Sequence, residues 1–163
     1  MTLDNLAALA EVIGAIAVVV SLVYVGYQVK QNTIAIRTQV HETIVGHVLE
    51  AEGSLLHNAD LAQIVVKADS DPKSLTPDEK LRADTYFTHE YVNWESAFLH
   101  HKNGFVEDDM WRRWDLSSRP DKDSPGQYKY WTEHRNWYDD EFARHVDTVF
   151  GELGYAQLDA EVR

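Results

Sequence analysis

Histidines and carboxylates are where this sequence can do chemistry, so their spacing is read first. There are eight histidines and no cysteine, which removes thiolate zinc sites, cysteine nucleophiles and disulfide frameworks. A di-iron site in a helical bundle needs Glu-x-x-His on two helices. No Glu-x-x-His occurs here. Glu141 and His145, four apart, and Thr85 and His89, also four apart, fall on common helix faces. For Glu141 and His145 a surface salt bridge is the expected pairing. His41 and His47 are six apart, an indifferent ligand spacing on a helix, and the adjacent His100 and His101 point about 100° apart. Asp121-Lys122-Asp123 begins like a calcium loop but lacks the glycine and the terminal glutamate. There is no glycine-rich phosphate loop, no Gly-x-Ser-x-Gly and no His-Glu-x-x-His. No cofactor is expected.

Charge narrows the partners. Asp and Glu number 27 against 15 Lys and Arg, for a net −12 in 163 residues. That sign repels a phosphate backbone and no basic stripe offsets it, so nucleic acid is not an expected partner. Aromatics make up 11% and cluster between Tyr86 and Phe150, which supplies that half with core material.

The element with the clearest physical signature is N-terminal. Val12 to Val29 is 18 residues without a charge, covering ~27 Å as a helix against a hydrocarbon core of ~30 Å. With Leu6 to Ala10 the apolar stretch reaches from Leu6 to Val29. Asp4 and Glu11 at the start, and the exit through Tyr27-Gln28-Val29-Lys30, argue against a cleaved signal peptide. Glu11 suits the headgroup boundary and the positive end of the helix dipole. Tyr24, Tyr27 and Lys30 suit the opposite interface. Lys30 and Arg37 flank only the C-terminal side, so the positive-inside bias puts the N-terminus outside and the following domain in the cytosol.

One face of this segment is small. Ala7, Ala10, Gly14, Ala17, Ser21, Tyr24, Gln28 and Gln31 follow alternating steps of three and four, and Ala35 and Thr38 continue them. The opposite surface, Ile16, Val19, Val20, Leu22 and Val23, is bulky. Small residues let membrane helices approach closely, and Ser and Gln can hydrogen-bond across the contact. The seam predicts self-association or pairing with another membrane protein, with lipid around the remainder.

The rest reads as helices. Ile36, Val40, Ile44 and Val48 carry the first helix on to near Gly53. Asn58 or Asp60 caps a short helix with Leu61, Ile64 and Val65. Thr76-Pro77-Asp78-Glu79 is a capping-box start for a helix reaching Asn103, with Gly104 as its left-handed stop and a stripe of Ala83, Phe87, Tyr91, Trp94 and Phe98. Glu107, Asp108 and Asp109 open a short helix anchored by Trp111 and Trp114. Ser117 to Ser124 reads as a loop. Ser124, with Gln127 three on, predicts a second capping box and one long helix carrying Trp131, Tyr138, Phe142, Val146 and Val149 to near Gly151.

The opening LAEVIGAIAVVVSLVYVGYQVKQNT, with its exit bearing Gln28, Gln31 and Asn32, resembles a widespread bacterial family of small, uncharacterised single-span membrane proteins. The aromatic helix ending at Gly104, then Trp111, then Pro125-Gly126 before Trp131, also fit. The resemblance implies one span in the bacterial inner membrane and a helical soluble domain. It implies no activity and supplies no site residues.

The expectation is therefore an all-α protein. Residues 1–30 are an anchor, and residues 31–163 are a soluble bundle of about four to five helices. Its expected role is a homo-oligomeric interaction or scaffold module. The other classes kept open are a channel-like pore lined by Gly14, Ser21 and Gln28, and a membrane-tethered metal-dependent enzyme.

Overall fold

The computed structural model describes residues 3–155. It is all-α, with six α-helices and no strand among the described residues. They are α1 (Leu3–His57), α2 (Ala59–Ser70), α3 (Pro77–Lys102), α4 (Asp108–Ser118), α5 (Pro125–His134) and α6 (Asp140–Glu152), with single 3₁₀ turns at Pro72–Ser74 and Arg135–Trp137. The chain divides into two units between Gln39 and Val40.

The described residues of the first unit lie within α1. It is long and apolar enough to cross a membrane by length and composition. Two of its threonine hydroxyls are satisfied along the helix. Thr33 Oγ1 donates to the Val29 carbonyl at 2.9 Å, and Thr38 Oγ1 to that of Ile34 at 3.1 Å. This back-bonding removes the need for water at the hydroxyls.

The second unit starts with the remaining turns of α1, which end at His57 and not near Gly53. Ile44 and Ala51, seven apart, are buried there. Ile44 joins Ala97 and Val106 in a small apolar cluster, with Val40, Met110, Trp111 and Trp114 around it. Asn58 is the cap of α2, accepting from Leu61 N–H at 3.0 Å. The box at Thr76 forms in full. Thr76 Oγ1 accepts from Glu79 N–H at 3.3 Å, and Glu79 Oε2 accepts from Thr76 N–H at 2.8 Å. Two orphan donors of α3 are thus satisfied by residues within one turn. Gly104, at φ +75°, turns the chain out of α3 as glycine does best.

Ala83, Phe87, Tyr91 and Trp94 form the buried stripe of α3 and meet Tyr130, Trp131, Phe142, Val146, Val149 and Phe150 of α5 and α6. The rings pack as offset stacks and edges. Tyr91 stacks on Trp131 at 5.3 Å and on Tyr130 at 5.4 Å, and Trp94 meets Phe142 edge-on at 5.5 Å. Such pairs add to area burial by roughly 1 kcal/mol each.

Three local expectations change. Helix α4 continues through Ser118, so the loop is shorter than the polar composition of 117–124 predicts. The expected single C-terminal helix is broken by the Arg135–Trp137 turn. Asp139 restarts it, its carboxylate accepting from the N–H groups of Glu141 and Phe142. Its own N–H donates to Glu95 of α3. An N-cap aspartate before Asp140 and Glu141 suits the positive helix start. Finally, Ser124 makes no side-chain cap bond within α5. Its hydroxyl donates instead to Asp69 Oδ2 at 2.8 Å, and Gln127 N–H reaches Asp69 Oδ1 at 3.4 Å. The cap of α5 comes from α2.

Candidate functional site

The face singled out in α1 is solvent-exposed in the folded chain, as are the surfaces beside it. Ala7, Ala10, Gly14, Ala17, Ser21, Tyr24, Gln28 and Gln31 are all exposed, and so are Tyr27 and Lys30. The bulky side is exposed as well, with Ile16, Val19, Leu22 and Val23 at 57% to 69%. A Cβ added at Gly14 would meet nothing within 4 Å. The polar end of the seam has internal order. Gln28 Nε2 donates to Tyr24 Oη at 3.0 Å, and Gln31 Nε2 to Tyr27 Oη at 2.8 Å. These bonds hold two amides against two phenols, one turn apart, and leave the amide oxygens as acceptors.

In the second unit the most connected polar group is Asp115 on α4. It is 6% exposed. Oδ1 accepts from Trp94 Nε1 at 3.1 Å and pairs with His145 Nε2 at 2.5 Å. Oδ2 accepts two bonds from Arg119, from Nε at 3.0 Å and Nη2 at 2.8 Å. Arg119 Nη1 continues to Glu152 at 3.0 Å. Burial pushes the Asp115 carboxyl up, but the bonds from His145 and Arg119 outweigh it and hold the group below its ordinary value. The cluster ties α3, α4 and α6 together. It also corrects an expectation: His145 pairs with Asp115, whereas Glu141 pairs with Lys102 at 2.7 Å. The helical spacing of Glu141 and His145 is real, but a buried acceptor outbids an exposed one.

Other histidines are committed to rings and ion pairs. His101 stacks on Trp111 at 5.4 Å and pairs with Asp108 at 3.0 Å. His100 meets Phe105 edge-on, and His41 tilts against Trp114. Among the described residues no group of three or more His, Asp or Glu is placed to hold a metal ion.

Beside the Asp115 cluster lies a pocket of about 160 Å³. Five residues of α3 line it (Tyr86, Phe87, Glu90, Tyr91 and Trp94), joined by Val65 of α2, Gln127 of α5, and Ser117, Ser118 and Arg119. Glu90 takes a hydrogen bond from Tyr86, while burial and the nearby Glu52 raise its carboxyl above the ordinary value. Burial, with the charge of Glu90, pushes Tyr86 up to about 12. Tyr91 is 2% exposed, and its hydroxyl has no hydrogen-bond partner among the described residues. By contrast, the neighbouring Tyr130 hydroxyl is bonded to Thr88 at 2.8 Å and to Tyr138 at 2.7 Å. A broader, mostly apolar groove of about 810 Å³ runs along the other side of Tyr86, with Ser54, Leu61, Leu81 and Val92 on its walls.

Neither Asp115 nor Glu90 stands out in the sequence. Both sit one turn from an aromatic, Trp111 and Tyr86, and Asp115 also precedes Arg119 by four. Those were the available signals, and they are common on solvated helices. No protein-family model matches the chain, and no curated protein or solved structure shows significant similarity to it.

Proposed function

We propose that this protein is a single-span, self-associating protein of the bacterial inner membrane whose acidic helical unit is an interaction module in the cytosol. The observation that carries this reading is the exposure of the uncharged stretch Val12–Val29 on every side. The core helix of a soluble protein hides at least a stripe of such residues. An all-round apolar surface of this length calls for lipid or for other copies of itself.

Self-association draws on the same helix. Counting in sevens from Ala7 gives Gly14, Ser21, Gln28, Ala35, Glu42, Leu49 and Leu56. Leu49 and Leu56 are 61% and 81% exposed, on the side of the helix away from buried Ile44 and Ala51. A seven-residue repeat that is small through its apolar part fits the close approach of parallel copies there. The orientation rests on Lys30 and Arg37.

Membrane fractionation followed by mass measurement of the detergent-solubilised protein tests both halves. The expected result is retention in membranes through an alkaline wash and a defined oligomer in mild detergent. A protein released by the wash as a monomer overturns the reading.

A further inference from the structure

The pocket beside α3 combines features that call for a particular kind of guest. Its volume of about 160 Å³ compares with the engineered cavity of about 150 Å³ that accepts benzene. A molecule of roughly six to ten heavy atoms fits that space. Phe87, Trp94 and Val65 offer an apolar wall. Glu90 and Tyr91 also line the pocket, and the buried Tyr91 hydroxyl has no hydrogen-bond partner among the described residues. A buried hydroxyl left without a partner costs about 1–3 kcal/mol, so Tyr91 gains from any guest that bonds to it.

Charge selects among guests. Arg119 lines the pocket, but its guanidinium is spent on Asp115 and Glu152. Glu90 is the opposite case. Among the described residues no lysine or arginine pairs with it; nearby His89 favours its ionised form and Glu52 opposes it. A carboxylate beside Tyr86 and Trp94, with no lysine or arginine paired to it among the described residues, is a counter-ion site for an organic cation. An anion entering there would meet the Glu90 carboxylate and an already occupied arginine.

We propose that this pocket binds a small organic amine, with Glu90 as counter-ion, the Tyr91 hydroxyl as a hydrogen-bond acceptor for the ammonium, and the Phe87 and Trp94 rings against its carbon skeleton. The partial desolvation that makes Glu90 reluctant to ionise strengthens its attraction for a cation bound beside it.

The test is titration calorimetry on the full-length protein in detergent, using butylamine, 1,4-diaminobutane and phenethylamine, with butanol and butyrate as neutral and anionic controls. One or more of the amines is expected to bind saturably at one site per chain, and the controls are expected not to bind. Glu90→Gln, which keeps the side-chain shape, is expected to weaken that binding about tenfold or more, as loss of a charge-assisted bond does. Tyr91→Phe is expected to weaken it several-fold while circular dichroism stays that of the parent. Asp60→Asn, on the exposed surface of α2, controls for the general acidity of the chain and is expected to change nothing. Amine binding that survives Glu90→Gln, preference for butyrate, or no saturable binding by any of the three amines overturns the assignment.

Discussion

The Asp69 carboxylate, at the end of α2, accepts a hydrogen bond from the Ser124 hydroxyl at 2.8 Å, across 55 positions of sequence. An aspartate at a helix C-terminus faces the negative end of its own dipole. Here it also faces the positive end of α5, whose first-turn N–H at Gln127 points at it. The approach that permits this is close. A Cβ on Gly126 would lie 2.0 Å from the Ala68 carbonyl oxygen and 2.7 Å from Asp69 Cα. The glycine after Pro125 is thus required by packing of α5 on α2.

Gly126→Ala is expected to destabilise the helical unit by about 3 kcal/mol or more. The obstructing atoms are backbone, which cannot turn aside as a side chain can. In the first turn of an open helix the same change would cost nothing or help slightly. Urea denaturation followed by tryptophan fluorescence measures the difference, and a variant as stable as the parent would show that the two helices are not pressed together at this point.

Asp115→Ala is expected to cost about 3 kcal/mol at neutral pH, since it leaves the buried Trp94 indole and the half-buried His145 and Arg119 without their acceptor. The pH dependence has a definite sign. The folded carboxyl titrates below its ordinary 3.8, so between the two values the unfolded chain binds more protons. Stability from Asp115 is complete above that range and is lost as pH falls through the folded value. The gap between parent and variant should therefore narrow as pH falls below 4.

Glu90→Gln should move the other way. The folded carboxyl titrates above its ordinary 4.5, so the folded chain holds the proton more tightly. The cost of the anion appears as pH rises past 4.5 and is complete above the folded value. Removing the charge is expected to raise the melting temperature at pH 7 and leave it unchanged at pH 4. A melting temperature lowered at pH 7 would mean that the ionised carboxylate has a stabilising partner.

These sites also mark where reading along the chain stops working. The Thr76 box was legible because its donors and acceptors sit within four residues, and the stripe of Ala83, Phe87, Tyr91 and Trp94 because helical burial has a period. The cap of α5 was misassigned to Ser124 because the competing acceptor, Asp69, lies on another helix. The Glu141–His145 pairing failed for the same reason, with Asp115 arriving from 30 positions away. Asp139 was hidden inside an apolar period that runs from Trp131 to Val149 without showing the break. Glu90 looked like one more charge on an amphipathic helix. Only packing of α2, α4 and α5 around it makes it half-buried.

Topology can be read with single cysteines, since the chain has none of its own. Asp4 and Asp121 are both exposed and lie on either side of the apolar stretch. Asp4→Cys is expected to react with an impermeant maleimide in intact spheroplasts, and Asp121→Cys only after lysis. Labelling of Asp121→Cys in intact spheroplasts would reverse the orientation, and labelling of both positions only after lysis would argue against a span.

The seam in α1 makes the sharpest forecast. Gly14→Leu adds volume where a Cβ meets nothing within 4 Å of its own chain, so the variant monomer has no reason to unfold. Any effect must come from what lies against that face in an assembly. Val19→Leu enlarges the bulky face, 60% exposed, where lipid can yield. If copies pack through the small stripe, Gly14→Leu disrupts the oligomer and Val19→Leu does not, because close backbone approach is the main attraction between apolar helices in lipid. Leu49→Glu with Leu56→Glu separates the later part of the repeat, since these exposed leucines contribute only if the same register continues beyond the apolar stretch. Gln28→Leu should cost on the order of 1 kcal/mol of association, as its amide is already partly satisfied by Tyr24. Crosslinking in bilayers and native mass measurement in detergent give the oligomeric fraction of each variant. Equal behaviour of the Gly14 and Val19 variants would mean that the small stripe is a feature of composition alone.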